Sequence, residues 1–452
     1  MGWGLADQAV SSLTNFAVSF YLAHTLVAAQ FGAFSITYAT YGFALTAARG
    51  LTTDPLVVRY SGVEERRWRR AVSWASGTAV VLGMVTGTIV LAAGIFIGGT
   101  VGAGFFALGL TLPGLVLQDC WRFSFFAAGR GGHAFLNDSI WGAALVPGIL
   151  VLRFTGHTSV FWVVLVWGLT ACLAAACGPL QAKTFPNVLR LWTWLYLHRD
   201  LGPRYTAEGA LGSGANQVKV SATSGLVGLA AAGWLQAGAT IFGPMNVLFG
   251  ALSLITIPEG ARILRRSPSL IVWFCIAVAG AVSAIAAVWG LILLVGLPHG
   301  LGAIMLGPIW HPTYPLVLPL TIALLGTTTS LGPTAMLHAL GAARRSLRLV
   351  IFQVVVSVAC AVVGAAAFGA PGVAWGSAVA SWIASVTGWW QLGVALRLAS
   401  LPQAGVRGLI ARFAPDRPAR PVMAGAGSAG AGSARPAGAG GSSGPRHAKS
   451  RR

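Results

Sequence analysis

Eight ionisable side chains inside otherwise apolar stretches define the chemistry open to this chain. They are Arg49, Asp54, Asp119, Arg122 and Lys219, with Asp7, Glu208 and Glu259 nearer the ends of their stretches. Placing Arg, Lys or Asp at the centre of a membrane helix costs roughly 2.5–3.5 kcal/mol, so each needs a partner or a purpose. Asp119 and Arg122 are three residues apart, share a helical face and are expected to neutralise one another. Asp54 lies about 140° round a helix from Arg49, which places the two poorly for pairing. For Arg49 the bland alternative is snorkelling to the nearby surface. Lys219 lies nearest mid-membrane with no same-helix partner, and there the functional reading leads. The sequence has no phosphate-binding loop, metal-ligand cluster or Ser/His/Asp constellation, so no cofactor, metal or catalytic residue is expected.

Composition identifies the elements that must position these groups. Hydrophobic residues make up 56% of the chain and charged residues 9%, with a mean hydropathy of +0.74, where a soluble protein carries roughly 25% charged residues. An all-α integral membrane protein follows. The net charge of +20 sits in short loops and a C-terminal tail, where positive-inside bias and anionic lipid headgroups account for it better than nucleic acid does. The five cysteines fall in apolar segments and are expected to be small core residues without disulfides.

Twelve transmembrane helices are predicted, near 5–26, 31–58, 71–97, 103–128, 134–154, 158–181, 206–231, 237–261, 269–295, 313–338, 346–368 and 372–396. Even-numbered spans run into basic loops, among them Arg66/Arg67/Arg69/Arg70, Arg130, Arg265/Arg266 and Arg344/Arg345/Arg348. Loops after odd-numbered spans contain only Arg153 among Lys and Arg. The alternation puts both termini in the cytoplasm, with Glu64, Arg130, His198 and Arg345 inside and Gly98, Gly156 and His299 outside. The longest connection, roughly 182–204, carries FPNVLRLWTWLYLHR and reads as an interfacial segment, with Trp192, Trp194 and Tyr196 as headgroup anchors. Residues 399–452 form a basic, low-complexity tail expected to be disordered.

The spans divide into lobes at 1–199 and 200–398. Pro55-Leu-Val-Val-Arg59 is answered 203 residues later by Pro258-Glu-Gly-Ala-Arg262. Asp7, Ser11, Asn15 and Ser19 line one face of the first span, as Glu208, Gly212, Asn216, Lys219 and Thr223 do on the seventh. Six spans is an even number, so the repeat is parallel, related by an axis along the membrane normal. Pro55 and Pro258 are hinge candidates, because a membrane proline frees a carbonyl and permits a bend.

The segment LADQAVSSLTNFAVSFYLAHTLVAAQFGAFSITYATYGFALTAARGLTTDPLVVRYS resembles the first two helices of the polysaccharide-flippase branch of the multidrug/oligosaccharidyl-lipid/polysaccharide exporter superfamily. QDCWRFSFFAAGR and GWLQAGATIFGPMNVLFGALSLITIPEGARIL are similar to that branch too, and the resemblance extends to about residue 397. It implies two six-helix lobes around a central cavity, which move lipid-linked saccharides across the cytoplasmic membrane by alternating access. Lipid II flippases of this superfamily usually carry extra C-terminal helices, and the low-complexity tail here departs from them. In this frame Arg49, Arg122 and Lys219 are expected to converge on the cavity and bind the diphosphate of a polyprenyl carrier, with Asp7 and Asp119 in support. Asn15, Asn216 and Gln217 are candidates for sugar hydroxyls, with helix packing as the competing reading. Anionic membrane lipids and polysaccharide-assembly proteins are the other expected partners. A drug or small-cation antiporter on the same fold is the nearest rival, expected to favour carboxylates in its cavity. A membrane glycosyltransferase or polymerase is disfavoured by the short external loops, and a transport-incompetent scaffold is the fourth reading.

Overall fold

A computed structural model of the chain describes residues 2–245, 248, 271–339 and 343–399. Pro258, Glu259, Arg262, Arg265, Arg266 and the tail from residue 400 lie outside the described residues. Within them every regular element is helical. In order these are α1 (Gly2–Thr25), α2 (Ala28–Leu51), α3 (Thr53–Tyr60), α4 (Glu65–Ile97), α5 (Gly99–Ala127), α6 (Gly131–Thr155) and α7 (Val160–Ala182). There follow α8 (Leu191–Leu197), α9 (Gly202–Leu226), α10 (Leu229–Ile241), α11 (Ile271–Gly296), α12 (Gly302–Leu306), α13 (Trp310–Ala339) and α14 (Ala343–Ala399). α14 is broken at Gly369, whose φ of 64° only glycine adopts cheaply, so it comprises two helices end to end.

Helices dominate because apolar surroundings offer no water to backbone N–H and C=O groups, which must therefore pair within the segment. Small polar residues obey the same rule. Thr37 donates its hydroxyl to the Ala33 carbonyl, Thr111 to Ala107 and Thr321 to Val317, each one turn back, so that no buried hydroxyl goes unpaired at these positions. Six segments among the described residues are long and apolar enough to cross a membrane: 65–97, 99–127, 131–155, 160–182, 272–334 and 348–397. The last two each run through a helix break. Large apolar side chains such as Phe96, Phe154 and Phe368 are 78–89% exposed, as a lipid-facing surface requires. The chain is thus a multi-pass membrane protein.

α5 is the most enclosed of the six apolar segments. Of its most apolar eighteen residues 56% are buried, against 22% for α4. α9 runs antiparallel along α2, with Gly50 against Thr206, Gly209 against Thr46 and Gln217 beside Thr40. At the other end of α2 the start of α10 approaches so closely that a Cβ on Gly32 would overlap the Leu229 carbonyl, and any larger residue would prise the two helices apart.

The expected span 31–58 is interrupted. α2 stops at Leu51, Thr52 leaves helical geometry at φ −119° and ψ −72°, and α3 begins with Pro55 in its first turn. Proline is tolerated there because a first-turn N–H has no helical acceptor. In a continuous helix residue 55 would donate to the carbonyl of residue 51, and proline has nothing to donate. The indole N–H of Trp194 does so instead, at 2.9 Å from the Leu51 oxygen. Trp194 is therefore fully buried, which corrects its reading as a headgroup anchor; Trp192 and Tyr196 on the same short helix are 77% and 66% exposed. Arg59 of α3 completes the joint, donating to the Leu197 carbonyl and to Asp200, each at 2.6 Å. His198 is 2% exposed, in tilted ring contact with Trp194 and within ring contact of Tyr60, so its side chain is shielded from solvent.

Candidate functional site

A cavity of about 370 Å³ opens among α1, α2, α5 and α6. α2 supplies Tyr38, Tyr41, Leu45 and Arg49, spaced by three or four so that all stand on one face. α5 supplies Gln118, Asp119, Arg122 and Phe123 from its enclosed stretch, α6 Asp138 and Trp141, and α1 Ser11. Tyr38, Tyr41 and Trp141 gather around the Trp167 ring at centroid distances of 4.8–6.1 Å, and Trp141 donates its indole N–H to the Trp167 carbonyl. One wall is thereby aromatic and rigid.

Buried charges are tolerable only when paired and hydrogen-bonded, and these are. Arg49 forks onto Asp119, with Nη2 at 2.5 Å from Oδ1 and Nε at 2.7 Å from Oδ2. The same guanidinium lies 4.7 Å from the centre of the Phe123 ring. Arg122 donates to Asp7 Oδ2 through Nη2 at 2.6 Å and Nε at 2.8 Å, and lies 3.3 Å from Asp138 Oδ2. Asp138 also accepts from Gln118 at 2.7 Å, and Gln118 reaches Asn137, which donates to Ala174 and Gln181. The expected same-face pair of Asp119 with Arg122 is replaced by pairs between helices. Asp119 and Arg122 turn apart because each finds a better aligned partner on a neighbouring helix, and two-point geometry outweighs mere proximity. Arg49 likewise does not snorkel; its carboxylate partner is within reach.

The arrangement is asymmetric in exposure. Arg49 keeps 30% of its side chain accessible, whereas Arg122 keeps 12%, and Asp7 and Asp138 almost none. Asp7 Oδ1 and Asp138 Oδ2 have no hydrogen-bond donor among the described residues, although the latter keeps its ion pair. Chemically the cavity offers a fixed guanidinium, carboxylate acceptors and aromatic faces.

The remaining candidates are dispersed. Lys219 on α9 does not line this cavity; its Nζ is 3.3 Å from Ser357 Oγ on α14, with no carboxylate in ion-pair range among the described residues. Gln217 donates to Thr40 Oγ1 on α2 at 3.0 Å, and Asn216 is exposed on α9. Asn15 falls within α1, and Pro55 within the first turn of α3. Sequence reasoning passes over Asp138, Asn137 and Gln118. An Asn-Asp pair inside an apolar span is the signal that marks the first two, and Gln118 is marked by its place one helical turn before Arg122.

Neither a family model nor a curated relative matches the sequence. Solved structures do. A multidrug-resistance MATE family transporter of the MOP superfamily in its inward-facing conformation matches at TM-score 0.66 and 16% identity, covering 86% of this chain and 96% of the other. The lipid II flippase MurJ, inward closed, matches at TM-score 0.66 and 10% identity over 92% and 93%. A MOP superfamily transporter from Pyrococcus furiosus, described by a binding pocket of reverse polarity, matches at 0.59 and 15% over 87% and 93%. The chain therefore has the fold of the MOP superfamily transporters, shared with MATE proteins and MurJ.

Proposed function

We propose that this protein carries a polyprenyl-diphosphate-linked oligosaccharide across the cytoplasmic membrane by alternating access, as a transporter and not an enzyme. The proposal includes twelve spans with both termini inside, grouped as lobes 1–199 and 200–398 with a tail from 399. Single cysteines test that topology: Glu64→Cys, Arg130→Cys and Arg199→Cys should resist an impermeant thiol reagent from outside, whereas Gly98→Cys, Gly156→Cys and His299→Cys should react. Arg199 takes the place of buried His198 in this series.

One observation carries the substrate reading. Arg49, held in two-point register by Asp119 and backed by Phe123, presents a partly open guanidinium to a cavity walled by Tyr38, Tyr41 and Trp141. A guanidinium matches phosphate oxygens bidentately, and flat aromatic faces suit sugar rings beside it. Lys219 supplies the second proposed phosphate contact, since its ammonium faces a hydroxyl and no carboxylate among the described residues. Carboxylates around Arg122 hold that guanidinium in place. In the proposed topology Arg49, Asp119, Arg122 and Asp138 stand in the cytoplasmic halves of their helices, the side on which such a substrate is assembled.

A second reading has its own observation. Three carboxylates, Asp7, Asp119 and Asp138, face two guanidiniums, and Asp7 Oδ1 is unpartnered. A surplus acid suits proton-coupled export of a small cation or drug. Depletion of the protein separates the two: a lipid-linked saccharide should accumulate on the cytoplasmic face, and its absence alongside retention of a cationic dye would establish the antiporter. Arg49→Ala and Lys219→Ala should each abolish complementation at normal membrane levels, while Arg66→Ala should be mild. Full activity of the Arg49→Ala, Lys219→Ala double variant would refute the diphosphate site.

A further inference from the structure

Arginines near the start of α4 sort into two kinds. Arg69 and Arg130 pair with Glu65, and Arg59 pairs with Asp200. Arg70 and Arg190 do not; both turn to one indole, with their guanidinium carbons 4.9 Å and 5.8 Å from the centre of the Trp74 ring. Two cations attracted to one ring repel each other, and no carboxylate among the described residues lies in ion-pair range of either to offset that repulsion. The site is built from two distant stretches. Ser73 donates its hydroxyl to the Phe185 carbonyl at 2.7 Å, and the Asn187 N–H donates to the Ser73 carbonyl at 2.8 Å, which seats the α7–α8 connection against α4 one residue from Trp74. Beside Arg190, Leu189 and Trp192 are 89% and 77% exposed.

Depth identifies the occupant. α4 has 33 residues, about 50 Å at ~1.5 Å per residue, against a hydrocarbon core of about 30 Å. The excess is assigned to the N-terminal turns, which carry Arg66, Arg67, Arg69 and Arg70, charges too costly for the core; that sets Arg70, Trp74 and Arg190 at headgroup level, with exposed Leu189 and Trp192 toward the acyl boundary. We propose that Arg70, Arg190 and Trp74 form a binding site for the phosphate of an anionic phospholipid, its chains lying along Leu189 and Trp192. The inner leaflet follows from the topology proposed above; the site itself does not depend on what the protein transports.

The test is native mass spectrometry of the full-length protein in detergent, titrated with phosphatidylglycerol or phosphatidylcholine. Each arginine near an anionic surface contributes roughly five-fold in affinity, so Arg70→Gln with Arg190→Gln should weaken the first phosphatidylglycerol about thirty-fold and leave phosphatidylcholine unchanged. Trp74→Leu should weaken it too. Arg66→Gln with Arg67→Gln removes the same number of charges from the first turn of α4 without touching the ring, and should cost less than five-fold. Equal losses in the two double variants would reduce the effect to smeared electrostatics and overturn the site. Displacement of the lipid by millimolar inorganic phosphate would assign the pocket to free phosphate and overturn the lipid. Arg190→Gln alone, on an exposed residue, keeps the test valid should the double variant misfold. None of these readouts involves transport, so their failure leaves the flippase proposal standing, and the reverse.

Discussion

Two half-buried cations in this molecule live under opposite regimes. Arg122, in the first half of the chain, is enclosed by Asp7 and Asp138 and gives up almost all of its exposure. Lys219, on α9, faces Ser357 at 3.3 Å and no acid among the described residues. The difference teaches what each charge is for. A guanidinium saturated by two carboxylates holds helices together and has little field left for a ligand. An ammonium opposite a hydroxyl contributes little to the fold and keeps its charge to give away.

The comparison breaks most visibly at Arg122. Arg122→Ala leaves two buried carboxylates unpaired and should cost about 3–5 kcal/mol, read as a loss of monodisperse protein or a lowered midpoint of thermal unfolding in detergent. Adding Asp7→Asn and Asp138→Asn should restore much of it, and a wild-type midpoint for Arg122→Ala would remove the structural assignment. Lys219→Gln should do the converse, shifting the midpoint by less than about 1 kcal/mol of stability while transport falls at least ten-fold. A Lys219→Gln protein that transports normally would return Lys219 to the status of a packing residue.

A smaller effect comes from a pairing that occurs twice. Trp194 bonds the Leu51 carbonyl that Pro55 leaves free, and Trp389 bonds the Thr329 carbonyl that Pro333 leaves free, at 2.9 and 3.1 Å. Trp194→Phe and Trp389→Phe should each cost about 1–3 kcal/mol, the penalty for stranding a buried acceptor. If only one of them matters, the two caps are not equivalent.

The smallest effect is a pH dependence confined to the α7–α9 connection. Burial holds the His198 imidazole below its ordinary value; the Trp194 carbonyl and Asp200 oppose this, and Arg59 reinforces it. The folded ring therefore gives up its proton more readily than the unfolded one. Stability from the neutral ring is complete above the unfolded value of about 6.5 and declines as pH falls below it. Amide exchange over residues 191–198, corrected for intrinsic rate, should be faster at pH 5.5 than at 7.5, and His198→Gln should flatten the difference.

Much of the fold is legible because hydropathy and breaker residues act locally. The apolar runs mark the segments from Glu65 to Ala182, and Pro55 marks the end of α2. The site is less legible because it depends on how each helix is rotated about its own axis, which close approaches such as Gly32 against Leu229 decide. Spacing shows that Asp119 can meet Arg122 on one helix, but not that Asp119 will find Arg49 across seventy residues. Asp138 is the plainest omission, since its partners lie on α1 and α5 and its own helix gives no hint of them. Trp192, Trp194 and Tyr196 look alike in sequence, and only the vacant carbonyl of Leu51 distinguishes the middle one.

That vacant carbonyl gives the joint at Thr52 a detent. The α7–α9 connection holds α2 and α3 at one preferred angle through a seated indole, with Arg59 bonded alongside it. Unseating it costs about 1 kcal/mol net, or roughly five-fold in population: enough to define a resting position, little enough for thermal motion to cross. A bend in α2 is thus felt by that strap, and a pull on the strap is felt by the helix carrying Arg49.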